Sequence, residues 1–195
     1  MALTKKAIAI DCEMVKTISG QKVARVACVD EDLEKKLKTF VHVQNVIDYV
    51  GEITGISEED LTNAPSLSKV VGQIKEIIRY SSVVVGHGVR QDLDLLGIGY
   101  NSNQIRDTSD LPIFLKPNGN SNKLKYLAET YLNETIQNGV HDPEVDARTA
   151  MKLYKQKWNL PGPAQIAFIK RNRPRSQHNN SLYYDYNNKE FFYVE

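Results

Sequence analysis

Asp11 and Glu13 sit in the run AIAIDCEMV, Ala7 to Val15. The run reads as a strand that carries two acids out of an otherwise apolar stretch. Side chains on a strand alternate sides, so residues two apart share a face. The two carboxylates therefore point the same way from a rigid element. Adjacent carboxylates repel, and burying them costs free energy, unless a proton or a cation sits between them. Oxygen-only ligands suit a hard divalent ion such as magnesium or manganese. Taken alone, the pair reads more readily as a solvated strand end.

Other acids recur downstream. Gly86 to Leu96, GHGVRQDLDLL, runs from a strand end into a helix whose first turns carry Asp92 and Asp94. Asp92 suits either a site or the positive end of the helix dipole. Asp94, two residues on, falls on roughly the opposite side. Asp107, in RDTSD, reads as a cap for the segment that follows it. His141 to Ala150, HDPEVDARTA, begins a helix: Asp142 is the natural N-cap, Pro143 the favoured first helical residue, and Asp146 lies one turn on. His141 stands just outside. Histidine near a helix start is usually a packing or surface residue, but one beside Asp146 can take a proton from water near neutral pH.

The elements that must position these residues are legible. Ala7–Val15, Lys22–Val29 and Leu37–Val43 are short, rich in β-branched residues and bounded by polar or glycine punctuation, which predicts an antiparallel meander. Gln44 to Gly55 reads as loop, and Ser57 as the cap of a short acidic helix. Ser66 to Tyr80 has apolar residues at helical spacing. Val83 to Gly86 is a short, wholly apolar strand of the kind buried in a parallel sheet. Val89–Leu96, Lys123–Leu132 and Pro143–Trp158 read as helices, and Gln104–Asp107 as a strand. Strands first, then alternation, predict an α/β fold: a mixed sheet, antiparallel over its first three strands and then parallel, flanked by helices. The division is a domain over 1–158 and an extension over 159–195. That extension holds the basic run Lys170 to Arg175, KRNRPR, and a β-hairpin from Leu182–Tyr186 and Glu190–Val194. The run reads equally as a tracker of phosphates, a nuclear signal or a solvated loop.

Composition narrows the classes. The 195 residues carry a net charge of +1, so no global charge announces a nucleic acid. Cys12 and Cys28 show neither metal spacing nor a disulfide framework, which predicts a reducing compartment. No apolar run approaches membrane length, and the first is cut by Asp11 too early for a signal peptide, so secretion is not expected.

The order D-x-E, then D, then H-x4-D resembles the DEDDh class of 3′-to-5′ exonucleases, which have a ribonuclease-H-like fold. DCEMV, GHGVRQDLDLL, RDTSDLP and IQNGVHDPEVDARTAMKLY are similar to motifs of its RNA exonuclease 4 and interferon-stimulated 20 kDa exonuclease branch. The resemblance runs from about Ala7 to Tyr154. It implies that Asp11, Glu13, Asp92 and Asp146 hold two divalent cations, Mg2+ or Mn2+, with Asp11 bridging and His141 as general base. It further implies substrate contacts at Met14 and His87. The implied substrate is single-stranded nucleic acid with a free 3′ end, RNA before DNA, released as nucleoside 5′-monophosphates in RNA processing such as that of rRNA. The implied location is the nucleus or nucleolus, with the cytoplasm as alternative. Competing readings are a DNA-directed member of the superfamily and a catalytically idle nucleic-acid-binding module. One departure stands out: where the branch often reads Tyr-Arg-Thr, this chain has Tyr49, Val50 and Gly51.

Overall fold

A computed structural model describes residues 6–158, 181–185 and 190–194. The strands are β1 (Ala7–Thr17), β2 (Gly20–Asp30), β3 (Lys35–Phe40), β4 (Val46–Asp48), β5 (Val83–Gly86) and β6 (Ile105–Asp107). The helices are α1 (Gly51–Thr54), α2 (Glu58–Thr62), α3 (Leu67–Arg79), α4 (Val89–Leu96), α5 (Leu124–Leu127, continued as a π turn over Ala128–Leu132) and α6 (Pro143–Trp158). The main sheet has the order β3-β2-β1-β5-β6, with β4 on the far end of β1. β1 pairs antiparallel with β2 and β2 with β3, whereas β5 and β6 run parallel to β1. This is the expected mixed sheet, with β1 at its centre.

The two faces of β1 are chemically distinct. Ile8, Ile10 and Cys12 point into a cluster with Val70 and Ile74 of α3 and Val89, Leu93 and Leu96 of α4. Ala7 and Ala9 point to the other side, where Ala147, Ala150 and Met151 of α6 cover them together with Val29, Val83 and Val85. Alanines on both surfaces let α6 approach the sheet closely. Further along that same face of β1 come Asp11 and Glu13.

Gly86 explains the glycine at the end of β5. A Cβ there would lie 2.6 Å from the Val89 side chain and 2.8 Å from the Ile10 carbonyl oxygen. Only glycine lets α4 start this close to β1.

The segment between β3 and α2, expected as loop, contains β4 and α1. Lys16 pairs with Asp48 in the ladder and through a 2.7 Å ion pair. Val50, before α1, has φ 51°, a left-handed conformation. A β-branched residue there is strained by about 1–3 kcal/mol. In the C-terminal region, β7 (Ser181–Asp185) and β8 (Glu190–Val194) pair antiparallel, as expected for a hairpin. The connecting turn and the basic run Lys170–Arg175 lie outside the described residues.

Candidate active site

The site is built where β1 emerges from beneath α6. Register between β1 and β2 slips here: Glu13 faces Arg25 and Met14 faces Val23, so Ala24 is an extra residue. Such a bulge twists the ladder and re-aims side chains beside it. Asp11 is half-buried, and Glu13 and Asp146 are buried. Ligand atoms of Glu13, His141 and Asp146 all lie within 4.8 Å of one another, and His141 Nδ1 is 3.9 Å from Glu13 Oε1.

The start of α6 is anchored from several sides. The Asp142 carboxylate accepts the Glu144 backbone N–H at 2.9 Å, as an N-cap does, and its carbonyl accepts Asp146 N–H at 3.0 Å. Lys38 of β3 reaches Asp142 at 2.7 Å and Glu144 at 3.3 Å, so the strand beyond β2 grips the helix that carries Asp146. His141 is held by its backbone N–H, which donates to Ile53 O of α1 at 2.6 Å. Val140 packs so tightly on Gly55 that a Cβ at Gly55 would come within 2.6 Å of it. The strained turn at Val50 is thus part of what places the histidine.

Asp92 approaches from α4. It is 5% exposed, whereas Asp94 is on the exposed side, as its spacing predicted. Burial pushes the Asp92 carboxyl up to about 8, with Asp107 and Glu13 adding repulsion. Burial pushes Glu13 up to about 7, helped by Asp146 and opposed by Arg25. Asp11 is also driven well above the carboxylate range, by burial first and then by the charges of Asp92, Asp146 and Glu13. Asp146 is raised as well, chiefly by burial. Four acids that cannot comfortably ionise together are the donor set a cation would relieve. Asp146 Oδ1 adds a second sign: it is buried with no hydrogen-bond partner. The residues therefore fit divalent cations.

This charge balance sets a pH dependence. Glu13 and Asp92 hold protons in the folded protein to higher pH than in the unfolded chain, whose carboxyls titrate near 4. Between about pH 4 and pH 8 the folded state binds more protons, so the stability of the cation-free protein falls as pH rises. Cations need the ionised acids and reverse that loss. Mg2+ is therefore expected to raise the melting temperature more at about pH 8 than at about pH 5, as read by calorimetry. An equal gain at both would contradict the charge assignment.

The cleft over the acids measures about 570 Å3 and is lined by Asp11, Glu13, His141 and Asp146, with Ile53, His87, Lys123, Lys125 and Gln137 among the others. His87 lines it from the end of β5. Its Nδ1 lies 3.0 Å from Thr108 Oγ1, which donates its own proton to Gly86 O at 2.9 Å. Thr108 can then only accept from the ring, so Nδ1 carries a proton. Met14 is placed differently. It is half-buried against the α3–α4 core cluster, on the face of β1 that carries Cys12, and Cys12 also borders the cleft. Strand alternation puts its side chain on the face opposite Glu13. Asp107 is a cap rather than a ligand: one oxygen accepts Gly88 N–H, Ser109 N–H and the Ser109 hydroxyl at 2.7–3.0 Å.

Lys123, Lys125, Gln137 and Ile53 were not singled out from the sequence. The lysines flank Leu124 at a helix start, where cations are disfavoured by the dipole, and that misplacement is a signal available in hindsight. Lys125 Nζ donates to the neutral Asn138 side chain at 2.7 Å, so its charge is not cancelled there.

A mixed five-strand path with β1 at its centre, and acids converging on it from α4 and α6, defines a carboxylate-centred hydrolase-type site on an α/β scaffold. The chain belongs to the exonuclease family (RNase_T), which matches residues 8–154. It is 36% identical to RNA exonuclease 4 of Aspergillus fumigatus over 157 residues, covering 77% of this chain and 50% of that protein. It is 33% identical to RNA exonuclease 1 of Saccharomyces cerevisiae, covering 76% of this chain and 27% of that one. The chain thus spans half or less of these relatives. Among solved structures it is similar to the Saccharomyces cerevisiae Pan2 pseudoubiquitin hydrolase–RNA exonuclease module in complex with A7 RNA, with TM-score 0.73 and 27% identity, over 87% of this chain and 31% of that one.

Proposed function

We propose that this chain is a cation-dependent 3′-to-5′ exonuclease that hydrolyses single-stranded RNA to nucleoside 5′-monophosphates. The observation that carries the reading is the gathering of Asp11, Glu13, Asp146 and His141 along one cleft, with Asp92 of α4 buried behind them and raising Asp11 by its charge. Held by these acids, two divalent cations, Mg2+ or Mn2+, would ease ionisation of water and offset charge on the departing 3′ oxygen. His141 takes the proton of the attacking water. The water oxygen bonds to phosphorus, the P–O3′ bond breaks, and the 3′ oxygen leaves with a proton from solvent. α6 and α1 keep His141 and Asp146 in register during this step, which is the contribution of a rigid scaffold.

Lys123 and Lys125 line the same cleft as the acids and would hold phosphates of the incoming strand. Replacing both with alanine should raise KM by about 10-fold and leave kcat within about twofold. The slope of log binding constant against log salt should shrink by about 1.4, the single-strand value for two phosphate contacts. An unchanged slope in a filter-binding series would remove the lysines from the substrate path.

RNA is favoured because the relatives carry that substrate in their names. DNA is the second reading. Tyr49, Val50 and Gly51 stand where the branch often reads Tyr-Arg-Thr, so the choice between the two sugars is left to the experiment. Digestion of RNA and DNA 20-mers labelled at either end tests both. A 5′ label should yield a ladder shortening from the 3′ end, and a 3′ label should appear at once as mononucleotide. The opposite pattern would reverse the polarity.

A further inference from the structure

Resting on that cation-binding reading, we infer that Gln137 is a positioning residue that orients the Asp146 carboxylate toward the cation. Gln137 Nε2 donates to Asp146 Oδ2 at 2.8 Å. The other oxygen, Oδ1, is buried and has no hydrogen-bond partner. A carboxylate on a helix turns about its last torsion unless something holds it. The amide fixes one oxygen and leaves Oδ1 without a partner, on a carboxylate that has an oxygen within 4.8 Å of ligand atoms of Glu13 and His141.

The chemistry of the donor matters. An amide N–H is neutral, so it holds the oxygen without cancelling the charge a cation needs. A lysine or arginine in its place would compete with the cation. Partners of this kind around metal ligands commonly set affinity as well as geometry.

The chain around Gln137 is built to hold it still. Its backbone is left-handed, with φ 55°, an unusual conformation for a side chain of this length. On one side Ile136 is buried among Phe114, Leu127 and Leu153. On the other, Asn138 is tied to Lys125. Glu134 is fixed by Lys152 of α6 at 2.8 Å and by its N–H to Ala128 O at 3.2 Å. The strap thus returns to the helix that carries Asp146, and strain at Gln137 is offset by anchors on both sides.

The test uses the full chain, with Gln137→Ala and Gln137→Met. The methionine keeps roughly the side-chain length and volume but lacks the amide, so the bond to Asp146 is lost without leaving a cavity. Mn2+ binding is measured by calorimetric titration without nucleic acid, and kcat and KM on an RNA oligonucleotide. Both variants should bind Mn2+ about 10-fold more weakly, within the usual 10- to 100-fold range for such partners. KM should stay within about twofold while kcat falls at limiting Mn2+ and recovers when Mn2+ is raised. Unchanged Mn2+ affinity in the folded methionine variant would overturn the proposal. So would a raised KM with unchanged Mn2+ affinity, which would make Gln137 a substrate contact. A parent protein that binds no Mn2+ would instead overturn the cation reading on which this rests.

Discussion

Asp11→Asn or Asp146→Asn should lower kcat by about 1,000-fold or more while leaving a protein that is at least as stable without cations. The first half follows from lost ligation. A cation's contribution to such a transition state is several kcal/mol, and each 1.36 kcal/mol is tenfold in rate. The second half follows from the electrostatics. Asp11 is held above its normal range by burial and by Asp92, Asp146 and Glu13, so ionising it in the folded protein is unfavourable. Asparagine removes that charge at nearly constant shape. Near pH 8 the cation-free variant should therefore melt at or above the parent, and Mg2+ should add less to its melting temperature. Steady-state kinetics and calorimetry on the same preparations check both halves. Near-parental turnover in both variants would end the mechanism, and a large loss of cation-free stability would mean that the acids are structural.

His141→Ala should slow the chemical step by roughly 100-fold or more, the lower end of the range for a general base. Mn2+ binding should persist, because the carboxylates remain. The backbone N–H of residue 141 would still donate to Ile53 O, so the loop should keep its place. The sharper sign is the shape of the pH–rate profile. Loss of a base removes the limb in which rate rises with its deprotonation. Single-turnover rates over a pH series compare parent and variant. A parallel profile at equal rate would remove His141 from the proton transfer.

The parts of the fold that could be read in advance were those in which period and punctuation agreed. β1, α4 and α6 are cases in point. Alternation fixed the shared face of Asp11 and Glu13, and Asp142-Pro143 marked the start of α6 to the residue. The antiparallel pairing of the first strands and the parallel pairing of β5 followed from their spacing and composition. α1 was hidden for a physical reason. Its entry uses a left-handed valine, whereas turn signals rest on glycine, asparagine and aspartate. The bulge at Ala24 was hidden as well, since an alanine in a strand gives no sign of being unpaired.

The site divides the same way. Individually, Asp92 and His141 were no more than a helix acid and a loop histidine. Order along the chain, together with resemblance, joined them, and the structure brings both toward Glu13. Met14 needed geometry as well as resemblance, for alternation sets its side chain on the opposite face from Glu13, half-buried against the α3–α4 cluster. Gln137 shows the opposite limit: a neutral amide has no charge, period or cap to announce it, and only its bond to Asp146 reveals it.

The most direct measurement is mass spectrometry of the mononucleotide released from single-stranded RNA in 18O-labelled water with Mg2+. The account predicts nucleoside 5′-monophosphate with one 18O in its phosphate, and no release in the presence of a chelator. Release of 3′- or cyclic 2′,3′-phosphates, or equal release with the chelator, would contradict it.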